Sequence, residues 1–422
     1  MSLKSLLVSI VCVPALAVVA LAQYQSAAEH PAIAYSKSTP ADAVARLQKS
    51  IDAGEATLEY DTDRGYLPAV LKALKVPVSS QGLVFSRTSL QVDRIAPWTP
   101  RAIYFSDDVY VGWVQGGPIM EIAAVDPSLG AVFYTVTQEP GARPVIARQT
   151  RTCLQCHDSA SSTGGVPGFI MRSVVADRHG YPVASDLGAT TDQTPIPDRW
   201  GGWYVTGSIP AAHRGNVFAP ALASEMGNVQ TYLARTPLAS NVKVTDLSGR
   251  FDTSPYLTPH SDAVALLVLA HQTYVHNLIT AAGYQARSTP DDAVRVEGAA
   301  ERLVRAMLFA KEAALPGAVA GTSTFAAEFA KPGPRDARGR SLRDLDLEHR
   351  VFRYPLSYLI YSESFDALPR SVKDYVCRRI REVLTGKDQR PEFAHLSADD
   401  RVAISEILSA TKSGDWGLGI RD

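Results

Sequence analysis

The chain has 422 residues, of which 46% are hydrophobic and 20% charged, and its formal net charge is -1. That composition allows a full hydrophobic core and excludes a disordered or low-complexity chain. The near-zero charge excludes a general polyanion binder, so neither nucleic acid nor an anionic membrane surface is an expected partner.

Residues 1–22 differ in kind from the rest. Met1 and Lys4 give a weakly positive start, an apolar run follows from Leu6 to Leu21, and Ala20-Leu21-Ala22 supplies a small-x-small ending. This pattern predicts a secretory signal peptide cleaved after Ala22, hence a periplasmic or otherwise exported protein. The competing reading is an uncleaved anchor, which the shortness of the run and Pro14 disfavour. No later stretch reads as a membrane span. Of the 4 cysteines, Cys12 leaves with the signal. Cys153, Cys156 and Cys377 remain, and an odd number does not make a disulfide framework.

Residues 23–40 read as a loose lead-in. Thr39-Pro40 predicts a helix start, with Val44, Leu47 and Ile51 at helical spacing and Gly54 as the stop. A short helix is expected over 66–74. Apolar, β-branched runs at 82–85, 102–105, 109–114, 119–125 and 131–136 alternate with turn residues, which predicts a β-meander. Segments 169–175 and 203–206 are expected to add strands. Helical patterning takes over near Pro220. Ser261-Asp262 caps a run to about 282, and others are expected from Pro290-Asp291, over 371–384 and over 397–410. The expected class is therefore α+β. The expected divisions are the signal at 1–22, a β-rich region at 23–219, and an all-helical region at 220–422.

Residues 152–158 read Thr-Cys-Leu-Gln-Cys-His-Asp. Cys-x-x-Cys-His is the spacing that attaches c-type haem. Each thiol adds to one porphyrin vinyl, and the next residue offers an imidazole nitrogen to the iron. Cys153, Cys156 and His157 are thus the candidate attachment and ligand residues for one covalent haem c. A redox cysteine pair does not need the histidine, and a zinc site needs two more ligands at short spacing. Export agrees with the motif, since c-type haem is attached outside the cytoplasm.

On these residues the chain resembles the c-type cytochromes, over the motif and about a dozen residues after it. The resemblance implies that a proline carbonyl in the following Gly164-Gly165-Val166-Pro167-Gly168 accepts a hydrogen bond from the other imidazole nitrogen. Pro167 is the candidate, with a plain turn as the alternative. The chain departs from small cytochromes c in two respects. A long segment precedes the motif, and no methionine precedes a proline. The runs at 100–112 and 199–207 resemble those of large exported monohaem proteins of no assigned activity.

The other face of the iron decides function. His271, on the helix after Asp262, is the leading candidate for a second ligand, with a hydrogen-bonded core histidine as the plainer reading. His276, five residues on, points to a different face. His213, Met171 and Met226 are further candidates. Arg143, Arg148, Arg151, Arg172 and Arg178 flank the motif and read as propionate partners, a docking patch or a solvated face. Trp200, Trp203 and Tyr204 read as porphyrin packing or core, and Cys377 as a buried small hydrophobe. A filled sixth position predicts one-electron transfer to a redox partner protein. An open one predicts a haem enzyme of the peroxidase or oxidase type, or a haem-based sensor.

Overall fold

The computed structural model describes residues 26–141, 143–184, 188–219, 238 and 243–412. The expected signal peptide and Met226 lie outside the described residues. Two helices, α1 (Ala43–Asp52) and α2 (Leu67–Ala73), precede an antiparallel sheet. Its strands are β1 (Gly82–Val84), β2 (Arg101–Phe105), β3 (Val109–Trp113), β4 (Ile119–Asp126), β5 (Gly130–Thr137) and β6 (Ile146–Gln149). A one-turn helix α3 (Leu154–His157), the hairpin β7 (Val175–Ala176) and β8 (Pro182–Ala184), and β9 (Trp203–Tyr204) follow. The sheet order is β6-β5-β4-β3-β2-β1-β9, a meander with β9 returning to the β1 edge. The class is α+β, with the sheet in the first half and helices in the second.

Side chains alternate across the strands as a pleated sheet requires. Tyr104, Val111, Ile122 and Val132 face Val44, Leu67 and Val70 of α1 and α2. Phe105, Tyr110, Val125, Ala131 and Phe133 face the helical half. The second layer is led by α4 (Ala263–Ser288), with α5 (Ala293–Met307), α6 (Phe325–Ala330), α7 (Arg370–Leu384) and α8 (Ala398–Thr411) packed around it. One apolar cluster contains residues of both the sheet and these helices, so the core runs across residue 220.

Helix α4 starts where Asp262 Oδ1 accepts the Val264 and Ala265 N–H groups at 2.8 and 3.1 Å. Leu266, Leu267, Val268 and Val275 are at most 1% exposed. Burying each such side chain is worth roughly 1.5–3 kcal/mol. Against the sequence reading, α4 is long and apolar enough to cross a bilayer. Its most apolar 18 residues are 89% buried inside the fold, as expected of a core helix.

Two expectations shift. The first helix starts at Ala43 rather than at Thr39-Pro40, because the Asp42 carboxylate, not the Thr39 hydroxyl, accepts the first free amides. Of the strand expected over 169–175, only Val175 is extended into β7. The backbone groups of that segment are taken by other partners. Asn277 binds both the N–H and the C=O of Phe169, the Trp203 indole binds the Arg172 carbonyl, and Gly201 accepts from Val174. So engaged, the segment makes only an isolated bridge, Arg172 to Ala189, ahead of β7.

Candidate functional site

The Cys-x-x-Cys-His residues form the turn α3. The amides of Cys156 and His157 bond to the Cys153 carbonyl at 3.2 and 3.0 Å, and Asp158 to Leu154 at 3.0 Å. One helical turn therefore carries both thiols and the imidazole. Both cysteines are free thiols, Cys153 half-buried and Cys156 exposed. Burial pushes the Cys153 thiol up to about 11, with the Glu121 carboxylate adding to the shift. A redox dithiol needs the opposite, a thiolate stabilised near neutrality. Among the described residues no three His, Cys, Asp or Glu side chains are grouped so as to hold a metal ion.

His157 is held by the chain that follows. Its Nδ1 lies 2.9 Å from the Gly168 carbonyl, and its own carbonyl accepts the Gly168 N–H at 2.9 Å. A carbonyl only accepts, so Nδ1 carries the proton. Burial holds the imidazole below its usual pKa, which makes the neutral form dominant at pH 7. Nε2 therefore bears the lone pair, the state an iron ligand needs. The Phe133 ring of β5 packs on the imidazole at 4.7 Å.

The expected acceptor, Pro167, is displaced by one residue. Its carbonyl takes the Ala131 N–H at 3.2 Å, docking the motif loop on β5, while Gly168 serves His157. The close approach depends on Gly130. Its φ is +72°, and a Cβ there would stand 2.4 Å from Thr280 of α4 and 3.0 Å from the Pro167 carbonyl. Sheet, helix and motif loop converge at this one position.

The sequence reading missed the charges beside the motif. Arg101 of β2 and Glu121 of β4 form an ion pair across β3, over Gly112, where a Cβ would collide with the guanidinium. Both influence Cys153 and His157, as Arg172 does His157. No periodicity links them; only strand register brings residues 101, 112 and 121 side by side. Of the arginines singled out earlier, Arg143 binds the Ile51 carbonyl and Asp52. Arg148 binds the carbonyls of Tyr35 and Ser38. Both anchor the first segment of the fold. Arg172 donates to Ser162 at 2.8 Å, close to the motif.

The structure places His271 in a different environment. Its Nδ1 is 2.7 Å from Asp192 Oδ2 and its Nε2 is 2.8 Å from the Ser357 hydroxyl. Phe309 stacks on the ring at 4.2 Å. The three residues form a row of hydrogen bonds in which Ser357 is wholly buried. Both ring nitrogens are occupied, the arrangement of a satisfied core histidine. His213 is similar: Nδ1 accepts from Gly215 at 3.0 Å, and burial lowers its pKa to about 4. His276 differs, because Nε2 donates to the Asp107 carbonyl at 2.8 Å and its buried Nδ1 has no partner among the described residues.

The remaining candidates are core. Trp200, Trp203, Tyr204 and Met171 are buried. The Tyr204 hydroxyl donates to the Pro97 carbonyl at 2.7 Å, on the sheet face away from α4. Burial pushes the Cys377 thiol up to about 11, consistent with a small hydrophobe. Comparison with family models, curated proteins and solved structures gives no match to this chain.

Proposed function

We propose that this chain is an exported, cytochrome-c-like protein that passes single electrons to a redox partner protein. In this reading Cys153 and Cys156 hold one haem c through thioether bonds and His157 Nε2 ligates its iron. The observation that carries the reading is the state of His157. A neutral imidazole, proton fixed on Nδ1 by the Gly168 carbonyl, sits on the same helical turn as two free thiols. Haem held there would supply one-electron chemistry between its ferric and ferrous states. The chain's own residues do the rest. The Gly168 bond orients the imidazole and raises its basicity. Half-buried Leu154 within the motif and the Phe133 ring against His157 offer apolar wall, and Arg101 and Arg172 offer cations for the propionates.

The test is expression with a c-type maturation system, followed by intact-mass measurement and a pyridine haemochrome spectrum. Haem should remain attached on denaturation, and Cys153→Ala or Cys156→Ala should each remove one thioether. An unmodified polypeptide mass from matured material overturns the proposal.

A second reading is a haem enzyme or sensor with an open distal position. The occupied nitrogens of His271 favour it, since that histidine is not free to act as sixth ligand as placed. Carbon monoxide binding and a high-spin resonance signal distinguish this reading from a six-coordinate, low-spin carrier.

A further inference from the structure

Far from the motif in the chain, three segments of the helical half enclose a cavity of about 520 Å³. They are the turn after α5, the loop at residues 346–350, and the turn at 391–395 between α7 and α8. The first wall is built under constraint. Phe309 and Lys311 both adopt left-handed backbone, with φ of 55° and 67°. Non-glycine residues hold that conformation only where surrounding contacts impose it. Here Ala313 N–H binds the Asp192 carbonyl at 2.9 Å and Gln193 binds the Ala310 carbonyl at 3.1 Å, tying the turn to a second segment. The cavity is thus preformed.

Its wall combines acids already engaged by the protein with two cations, Lys311 and Arg350. The wall acid Asp346 is taken up by the amides of Glu348 and His349 at 2.9 Å. Glu392 pairs with Arg305 and Arg390, which do not line the cavity. Lys311 has no ion pair among the described residues. Among the described residues Arg350 pairs with one acid, Asp400, through Nη2 at 2.8 Å. Glu312 Oε1 accepts the Val351 N–H at 3.2 Å. Burial, then the Asp192 carboxylate behind it, pushes the Glu312 carboxyl up to about 7, so it keeps its proton into the neutral range. Phe309, Ala314 and Pro391 supply apolar surface.

We infer that this cavity binds a small organic acid, with the ligand's carboxylate on Arg350 and Lys311 and the Glu312 carboxyl donating a hydrogen bond to it. The apolar wall takes the body of the ligand, which separates an organic acid from an inorganic anion. The site is independent of haem attachment.

The probes are benzoate, its uncharged analogue benzyl alcohol, and inorganic phosphate, titrated calorimetrically into the full-length chain at pH 6 and pH 8. The site predicts that benzoate binds and benzyl alcohol and phosphate bind at least tenfold more weakly. With the Glu312 carboxyl titrating at about 7, its protonated fraction falls about tenfold between pH 6 and 8, and benzoate affinity should follow. Glu312→Gln keeps a donor at both pH values and should abolish that drop. Arg350, Lys311, Asp346, Glu392, His349 and His395 also face the cavity, and Asp192 and Arg199 act on Glu312 from behind it. His349→Gln, which leaves Glu312 intact, should leave the drop in place. Arg350→Gln should cost about tenfold in benzoate affinity. Three results would each overturn the inference: no benzoate binding, phosphate binding as tight as benzoate, or a pH drop that survives in Glu312→Gln. Circular dichroism of each variant checks that it is folded.

Discussion

Replacing His271 by alanine separates a core clamp from an iron ligand. Asp192 is 3% exposed, its Oδ1 already lacks a partner, and its Oδ2 is served by His271 Nδ1 at 2.7 Å. Removing the imidazole leaves a buried carboxylate without its side-chain donor, which typically costs 3–5 kcal/mol. The Phe309 stack at 4.2 Å is lost as well, adding about 1 kcal/mol. Against this, the guanidinium of buried Arg199 lies close, bonded to the Asp192 carbonyl at 2.7 Å, and moderates the stranded charge. The net expectation is a loss of about 4 kcal/mol, a large share of the 5–15 kcal/mol that holds a typical domain. His271→Gln keeps one donor and should cost about half as much, and Ser357→Ala about 1 kcal/mol. Urea denaturation followed by tryptophan fluorescence measures these values. The visible spectrum and spin state of the haem-loaded protein, recorded on the same variants, should not change. A changed spin state with stability held within about 1 kcal/mol of wild type would refute the reasoning and restore His271 as a ligand.

Three further predictions follow from the site and its surroundings. Asn277→Ala removes both bonds to the Phe169 backbone, 2.8 Å each, and should cost about 2–3 kcal/mol in denaturation. With haem attached as proposed, it should also shift the midpoint potential, because Phe169 follows Gly168, whose carbonyl orients His157. Gly130→Ala places a Cβ in left-handed backbone against Thr280 and should cost about 2 kcal/mol, read as a lower urea midpoint. For pH, the Glu312 carboxyl, raised from 4.5 to about 7, holds a proton in the folded state that the unfolded chain has already released. Its contribution to stability therefore falls as pH rises between those values, by at most about 3 kcal/mol. His213 and His276, lowered to about 4, act in the opposite sense below pH 6.5. The stability of Glu312→Gln relative to wild type should thus rise between pH 5 and 7.5, and a constant difference in urea midpoints would count against the assignment.

Much of the fold was legible in local pattern. The alternating runs became β1 to β5 within a residue or two, because each strand buries at least one face and turn residues such as Asp126 separate them. Asp262 and Ser397 mark helix starts by their side-chain bonds to the next free amides. Spacing likewise put Cys153, Cys156 and His157 on one turn, since Cys153 is the N-cap of α3 and Cys156 and His157 are its last two residues. Local sequence therefore determined the elements and the chemical identity of the candidate site. Tertiary structure decided which groups serve it. Gly168 rather than Pro167 faces His157 because Pro167 is spent on β5, and Arg101 meets Glu121 only through strand register. His271 looked available on an apolar helix until Asp192 and Ser357, 79 and 86 residues away in the chain, occupied its nitrogens. A hydrogen bond is made by whichever group packing brings within about 3 Å, and sequence spacing carries no record of that proximity.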